Sequence, residues 1–193
     1  KIDQNAFELA VDTILHAKHI YIIGIRSCAP LASFMAFYFT LMFPNVHLIQ
    51  TSSSSEIFEQ MVRIGKEDVI IGISFPRYSM RTLKAMEFAN NRSAKVITLT
   101  DSVHSPMNLY SSCNLIADSD MASIVDSLVA PLSVINALIV ALCMKKQNEV
   151  AKTLEMLEDI WDEYQVYEND EINYIDDSIK MRYGKVGDAE LYE

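Results

Sequence analysis

Apolar residues along this chain come in short, nearly unbroken runs, each closed by a small or polar residue. Residues 19–24 (HIYIIG), 46–50 (VHLIQ), 68–74 (DVIIGIS) and 95–100 (KVITLT) are of this kind, and residues 114–117 (NLIA) form a weaker fifth. Runs of roughly four to eight residues rich in Ile and Val, without strict alternation, predict strands buried on both faces. Between them the pattern takes on a helical period. Helices are predicted after Ser27, from Ser54 to Ile64 and from Ser79 to Asn91, the last with Leu83, Met86 and Phe88 as apolar contacts. Strands and helices alternating at this spacing predict an α/β fold with a parallel sheet covered on both faces.

After the fifth run the pattern changes. A long helix is predicted over residues 121–146, with Asp118, Ser119 or Asp120 as its cap. A second is predicted over residues 148–167, where Val150, Leu154, Leu157, Ile160, Trp161 and Tyr164 share one face. From Glu168 onward no period persists, so the reading is a domain over residues 1–167 followed by an extended acidic tail over 168–193. Two apolar stretches, 28–43 and 124–143, are interrupted by Pro30 in one and by Asp126, Pro131 and Asn136 in the other. A spanning helix needs about 20 apolar residues, so core or interface helices are the better reading.

Half of the 193 residues are apolar and 22% are charged, which describes a globular chain. The net charge is −10, and ten acidic residues with no Lys or Arg lie between Glu155 and Asp177. So acidic a chain lacks the basic face that nucleic acid demands, and any contact with DNA is expected to come from another part of the protein. The chain opens on Lys1, so a preceding segment is expected. No basic region followed by an apolar run and a cleavage site marks a signal peptide. Cys28, Cys113 and Cys143 are far apart and form no CxxC pair, as expected of reduced thiols in a cytoplasmic protein.

In an open parallel sheet, ligands bind beyond the carboxyl ends of the strands. Three polar loops fall there. The first, Gly24-Ile25-Arg26-Ser27, offers a turn glycine, a guanidinium and a serine placed to cap the next helix. The second, Ser74-Phe75-Pro76-Arg77-Tyr78-Ser79, carries hydroxyls and an arginine, with Arg81 in the first helical turn. A cation at a helix start opposes the helix dipole unless an anion is nearby, which points to phosphate. The third, residues 101–106, holds Ser102, His104 and a Ser105-Pro106 helix start. Ser53-x-x-Glu56 fits a capping box, and Glu56 is also a candidate sugar contact or base. Each loop taken alone is also compatible with an ordinary cap and a solvated charge. No cofactor is indicated: neither a Gly-Lys-Ser/Thr phosphate loop nor a three-glycine dinucleotide turn is present. His16 and His19 have no third ligand beside them in sequence, so no metal is expected.

The sequences GIRS, ISFPRYS followed by Arg81-Thr82-Leu83, LTDSVHSP and VDSLVAPLSVINALI, in that order, resemble a sugar isomerase (SIS) domain. The FPRYS variant is similar to the RpiR family of sugar-responsive bacterial transcription regulators. The resemblance covers about residues 5–145. It implies a three-layer α-β-α sandwich with a five-stranded parallel sheet, which forms a homodimer or higher homo-oligomer and binds a phosphorylated sugar. Carried over by position, Ser27, Ser74 and Ser79 hold the phosphate. The effector set expected on this basis is Gly24, Arg26, Ser27, Ser74, Arg77, Ser79, Glu56 and Ser102. The resemblance also implies an N-terminal helix-turn-helix domain, outside this chain, as the part that binds DNA. Two departures stand out. Arg26 and Cys28 replace the second Gly and second Ser of the commoner Gly-x-Gly-Ser-Ser loop. Pro76, Arg77 and Tyr78 replace Ser, Gly and Glu of Ser-x-Ser-Gly-Glu-Thr.

Three functions follow from these features. The first is effector sensing without catalysis, transmitted through dimer geometry. The second is an aldose-ketose isomerase, with Glu56 and His104 as its candidate acid and base. The third is a dimerisation module whose pocket has decayed.

Overall fold

The computed structural model of the chain describes residues 3–51, 53–118 and 127–167. Its elements are α1 (Gln4–Leu15), β1 (Ile20–Gly24), a 3-10 turn (Arg26–Cys28), α2 (Ala29–Met42), β2 (Val46–Ile49), α3 (Ser54–Gln60), β3 (Val69–Ile73), α4 (Met80–Asn91), β4 (Lys95–Thr100), a second 3-10 turn (Pro106–Tyr110), β5 (Cys113–Ile116), α5 (Val129–Lys145) and α6 (Gln147–Glu163). The chain divides into two compact units, residues 1–150 and 151–193.

The first unit is the expected α/β sandwich. Five parallel strands run in the order β2-β1-β3-β4-β5, with Ile20 opposite both Val46 and Val69. Successive side chains enter opposite faces of the sheet. Ile20, Ile22, Ile71, Ile97 and Leu99 pack beneath residues of α1, α2 and α5. Tyr21, Ile23, Ile70 and Val96 pack on the other side, with Ile57 of α3 and Ala85, Met86 and Ala89 of α4. Cover on both faces is why the runs show no polar alternation.

Helix α1 lies ahead of the first predicted element. Asp3 caps it, accepting the N–H groups of Asn5 and Ala6 at 2.9 and 3.2 Å, and Ala10, Val11 and Ile14 are buried. The helix packs near β5, where the Cys113 thiol donates to the Ala6 carbonyl at 2.9 Å. Burial, and then the charge of Asp3, push this thiol up to about 11, so it stays protonated at neutral pH. None of the three cysteines is in a disulfide among the described residues.

Two helix ends differ from expectation. The helix expected to reach Ile64 ends at Gln60, and the chain turns so that Met61 and Ile64 still reach the core. Its capping box does not form, because the Glu56 carboxylate takes the Thr51 hydroxyl instead. Helix α5 begins at Val129, and Leu128 before it makes no side-chain cap. The expected start at Met121 and the candidate caps Ser119 and Asp120 lie outside the described residues. Among the described residues no single helix is long and apolar enough to cross a membrane.

In the second unit the described residues are 151–167, which carry most of α6. Its end is closed by a Val166 N–H bond to the Trp161 carbonyl at 3.0 Å and an edge-on contact of Trp161 with Tyr167. The tail over 168–193 lies outside the described residues.

Candidate functional site

Strands β1 and β3 are neighbours in the sheet. Their following loops therefore leave the same edge side by side. Together they line an open cleft of about 780 Å³. Arg26 and Ser27 come from the first loop, and Ser74, Arg77, Ser79 and Arg81 from the second and the start of α4. Leu128, just before α5, closes part of the wall. No local pattern around Leu128 marks it as a site residue, since only the fold brings it there.

The first loop is built differently from its sequence reading. Gly24 has no left-handed φ. Its role is close approach: a Cβ there would lie 2.6 Å from the Cys28 carbonyl oxygen and 3.1 Å from the Ala32 Cβ. Arg26 takes the turn instead, at φ 59°. Ser27 sits inside the 3-10 turn rather than at a helix N-cap, because α2 starts two residues later with Pro30 in its first turn.

The second loop closes on itself. The Ser79 N–H donates to Ser74 Oγ at 3.0 Å, and the Thr82 N–H donates to Ser79 Oγ at 3.3 Å. Both hydroxyls thus act as acceptors toward the loop, and their own O–H groups remain available. Arg77 stands between them at φ 64°. Beneath the loop, the wholly buried Thr82 Oγ1 has no hydrogen-bond partner among the described residues. Its orphaned state costs about 1–3 kcal/mol.

Tyr78 ties this loop to the next one. Its hydroxyl donates to Asp101 Oδ1 at 2.9 Å. Burial first, and then that bond, hold the phenol above its ordinary range. The third loop is anchored by Ser105, whose Oγ accepts the Met107 N–H at 3.2 Å and the Thr100 hydroxyl at 2.9 Å. Ser105-Pro106 does open a helical turn, of 3-10 type. Ser102 Oγ accepts the N–H of the exposed His104 at 3.1 Å. Neither Ser102, His104, Glu56 nor Gly24 lines the cleft.

The charge of the cleft is one-sided. Three guanidiniums line it, and no carboxylate does among the described residues. The ion pairs of the described residues are Lys18–Glu67, Lys84–Glu87 and Lys146–Glu149, so none of the three arginines pairs with a described acid. Elsewhere, His16 Nδ1 bonds the Asp12 carbonyl and His19 Nδ1 bonds His47 Nε2. Among the described residues no group of three or more His, Cys, Asp or Glu is arranged to hold a metal ion.

This architecture is that of a sugar isomerase domain. The chain matches the SIS domain family over residues 13–141 and belongs to it. Its relatives and structural neighbours include transcription regulators of the RpiR type. An uncharacterized HTH-type transcriptional regulator of Caldanaerobacter subterraneus subsp. tengcongensis is 27% identical over 159 residues. That match takes in 78% of this chain and 55% of the relative, so the chain spans little more than half of the regulator's length. The sugar isomerase domain of an RpiR transcription factor from Sphaerobacter thermophilus superposes with TM-score 0.78 at 23% identity, over 82% of this chain and 88% of that one. The NanR protein of Vibrio vulnificus complexed with ManNAc-6P superposes with TM-score 0.72 at 18% identity, over 82% and 62% of the two chains.

Proposed function

We propose that this chain is the effector-sensing domain of a cytoplasmic, sugar-responsive transcription regulator. On this reading the cleft between the first and second loops binds a phosphorylated sugar. Binding then changes how two copies of the domain sit together, and so where DNA-binding domains outside this chain are held. The observation that carries the reading is the meeting of two hydroxyl- and arginine-bearing loops in one cleft, with three guanidiniums and no described carboxylate. Such a cleft attracts a phosphate dianion by charge and by hydrogen bonding together. Two lines of similarity agree with it: the regulators among the relatives, and the ManNAc-6P complex of one structural neighbour.

Binding is favoured over turnover by the placement of the candidate acids and bases. Isomerisation needs a group within hydrogen-bond reach of the substrate carbon's proton. Glu56 bonds Thr51 and His104 is exposed, and neither lines the cleft. Tyr78, where the commoner pattern has Glu, commits its hydroxyl to a hydrogen bond with Asp101.

Coupling to a dimer requires that the ligand bind one arrangement better than the other. Helices α2 and α5 offer the face for it. They pack against each other and are apolar all round, leaving Phe37, Val140 and Met144 exposed.

A melting-temperature screen with sugar phosphates at millimolar concentration tests the proposal. At least one phosphorylated sugar is expected to raise the transition where its unphosphorylated parent does not. Ser27→Ala, an exposed lining position, is expected to weaken that response without moving the ligand-free transition. A flat response to every compound would remove the phosphosugar reading.

A further inference from the structure

The phosphosugar reading leaves one positive charge unassigned. A phosphate monoester carries about two negative charges near neutral pH. The cleft presents Arg26, Arg77 and Arg81, and among the described residues no carboxylate lines it and no salt bridge reaches any of the three.

The arginines divide by origin. Arg77 and Arg81 flank the start of α4, beside the Ser74 and Ser79 hydroxyls. They belong with the phosphate. Arg26 comes from the neighbouring loop, under a different strand; its carbonyl accepts the Ala29 N–H, and its guanidinium has no ion pair among the described residues. Its backbone is left-handed, a conformation that suits glycine and penalises a long side chain. The position keeps a guanidinium where the backbone alone would take glycine.

We propose that the effector carries a second anionic group, a carboxylate, in addition to its phosphate, and that Arg26 is the residue that selects for it. The ligand class is thus a phosphorylated sugar acid rather than a neutral aldose or ketose phosphate. A planar guanidinium takes a carboxylate through two parallel N–H bonds, which gives direction as well as attraction. A cleft of about 780 Å³ has room for a six-carbon chain with an anion at each end. The inference rests on the proposed phosphosugar function and names the ligand class of the same cleft.

The test is calorimetric titration of the intact chain with a matched pair, 6-phosphogluconate and glucose 6-phosphate, alongside unphosphorylated gluconate and a hexose bisphosphate. The wild-type protein is expected to bind 6-phosphogluconate about tenfold or more tightly than glucose 6-phosphate. Arg26→Gly keeps the left-handed backbone and removes only the side chain. It is expected to abolish that preference while changing the glucose 6-phosphate affinity less than about twofold. The preference of the wild type is also expected to shrink as salt is raised, because Arg26 is solvent-exposed. Equal wild-type affinity for the pair overturns the inference and leaves the phosphosugar reading standing. An equal loss of both ligands in Arg26→Gly does the same, since it makes Arg26 a phosphate contact. Tighter binding of the bisphosphate than of the acid overturns the carboxylate assignment. No binding by any phosphorylated compound removes the phosphosugar reading, and the inference with it.

Discussion

Arg77 holds a φ of 64° in a loop where the commoner family pattern has glycine. A left-handed backbone costs an L residue about 1–3 kcal/mol and glycine almost nothing. Replacing Arg77 by Gly should relieve that strain, while the looser unfolded chain takes back about 0.4–1 kcal/mol. The ligand-free Arg77→Gly protein is therefore expected to be more stable by about 0.5–1 kcal/mol, read as a higher urea midpoint. A lowered midpoint would show that the Arg77 side chain contributes packing that its exposure hides. The same residue makes a clear case of what a single sequence conveys. That Arg77 and Arg26 carry charge into the site was legible from residue type and position. That both stand left-handed was not, because nothing in FPRYS or GIRS marks that backbone for a non-glycine residue. The serines show the reverse: their polarity was legible, but Ser27 as an N-cap was not correct, since Pro30 moves the start of α2 onward.

Among the elements, the strands were the most legible. Cover on both faces leaves an uninterrupted Ile/Val run, and each predicted strand formed to within two residues of its ends. Helix α1 was missed although its signals are present: Asp3 as cap, then Phe7, Ala10, Val11 and Ile14 at helical spacing. Its apolar face is narrow, and its burial depends on β5, about a hundred residues away. Close packing between elements was equally invisible. The end of β1 approaches the start of α2 so tightly that a Cβ on Gly24 meets backbone, the Cys28 carbonyl, which cannot swing aside. At Gly72 of β3 the added atom meets Met86 Sδ, the flexible part of a side chain. Gly24→Ala is thus expected to cost more than Gly72→Ala, at about 2–3 kcal/mol against about 1–2, within the range of overpacked cores. Chemical denaturation of the two variants checks the order. A larger loss at Gly72 would mean that the α2 start shifts more readily than Met86 repacks.

For the whole molecule, the decisive property is the pair of helices that are apolar on every side. Helix α2 leaves Phe37 61% exposed and α5 leaves Val140 57% exposed, although each helix also sends residues into the core, among them Met35 and Phe39 of α2 and Ile135 and Leu138 of α5. A helix of that composition is normally covered all round. The double variant Phe37→Asp with Val140→Asp is expected to halve the mass seen by sedimentation or native mass spectrometry, with unchanged helical circular dichroism. An unchanged mass would rule out this face as a contact between copies. Assembly also has a history in time. The thiol of Cys113 bonds the carbonyl of Ala6, 107 residues earlier, and α1 docks beside β5. A ribosome adds about 5–20 residues each second. The first helix of this chain therefore waits about 5–20 s of synthesis before its partner strand exists, and through that interval Ala10, Val11 and Ile14 are a binding surface for whatever meets a nascent chain first.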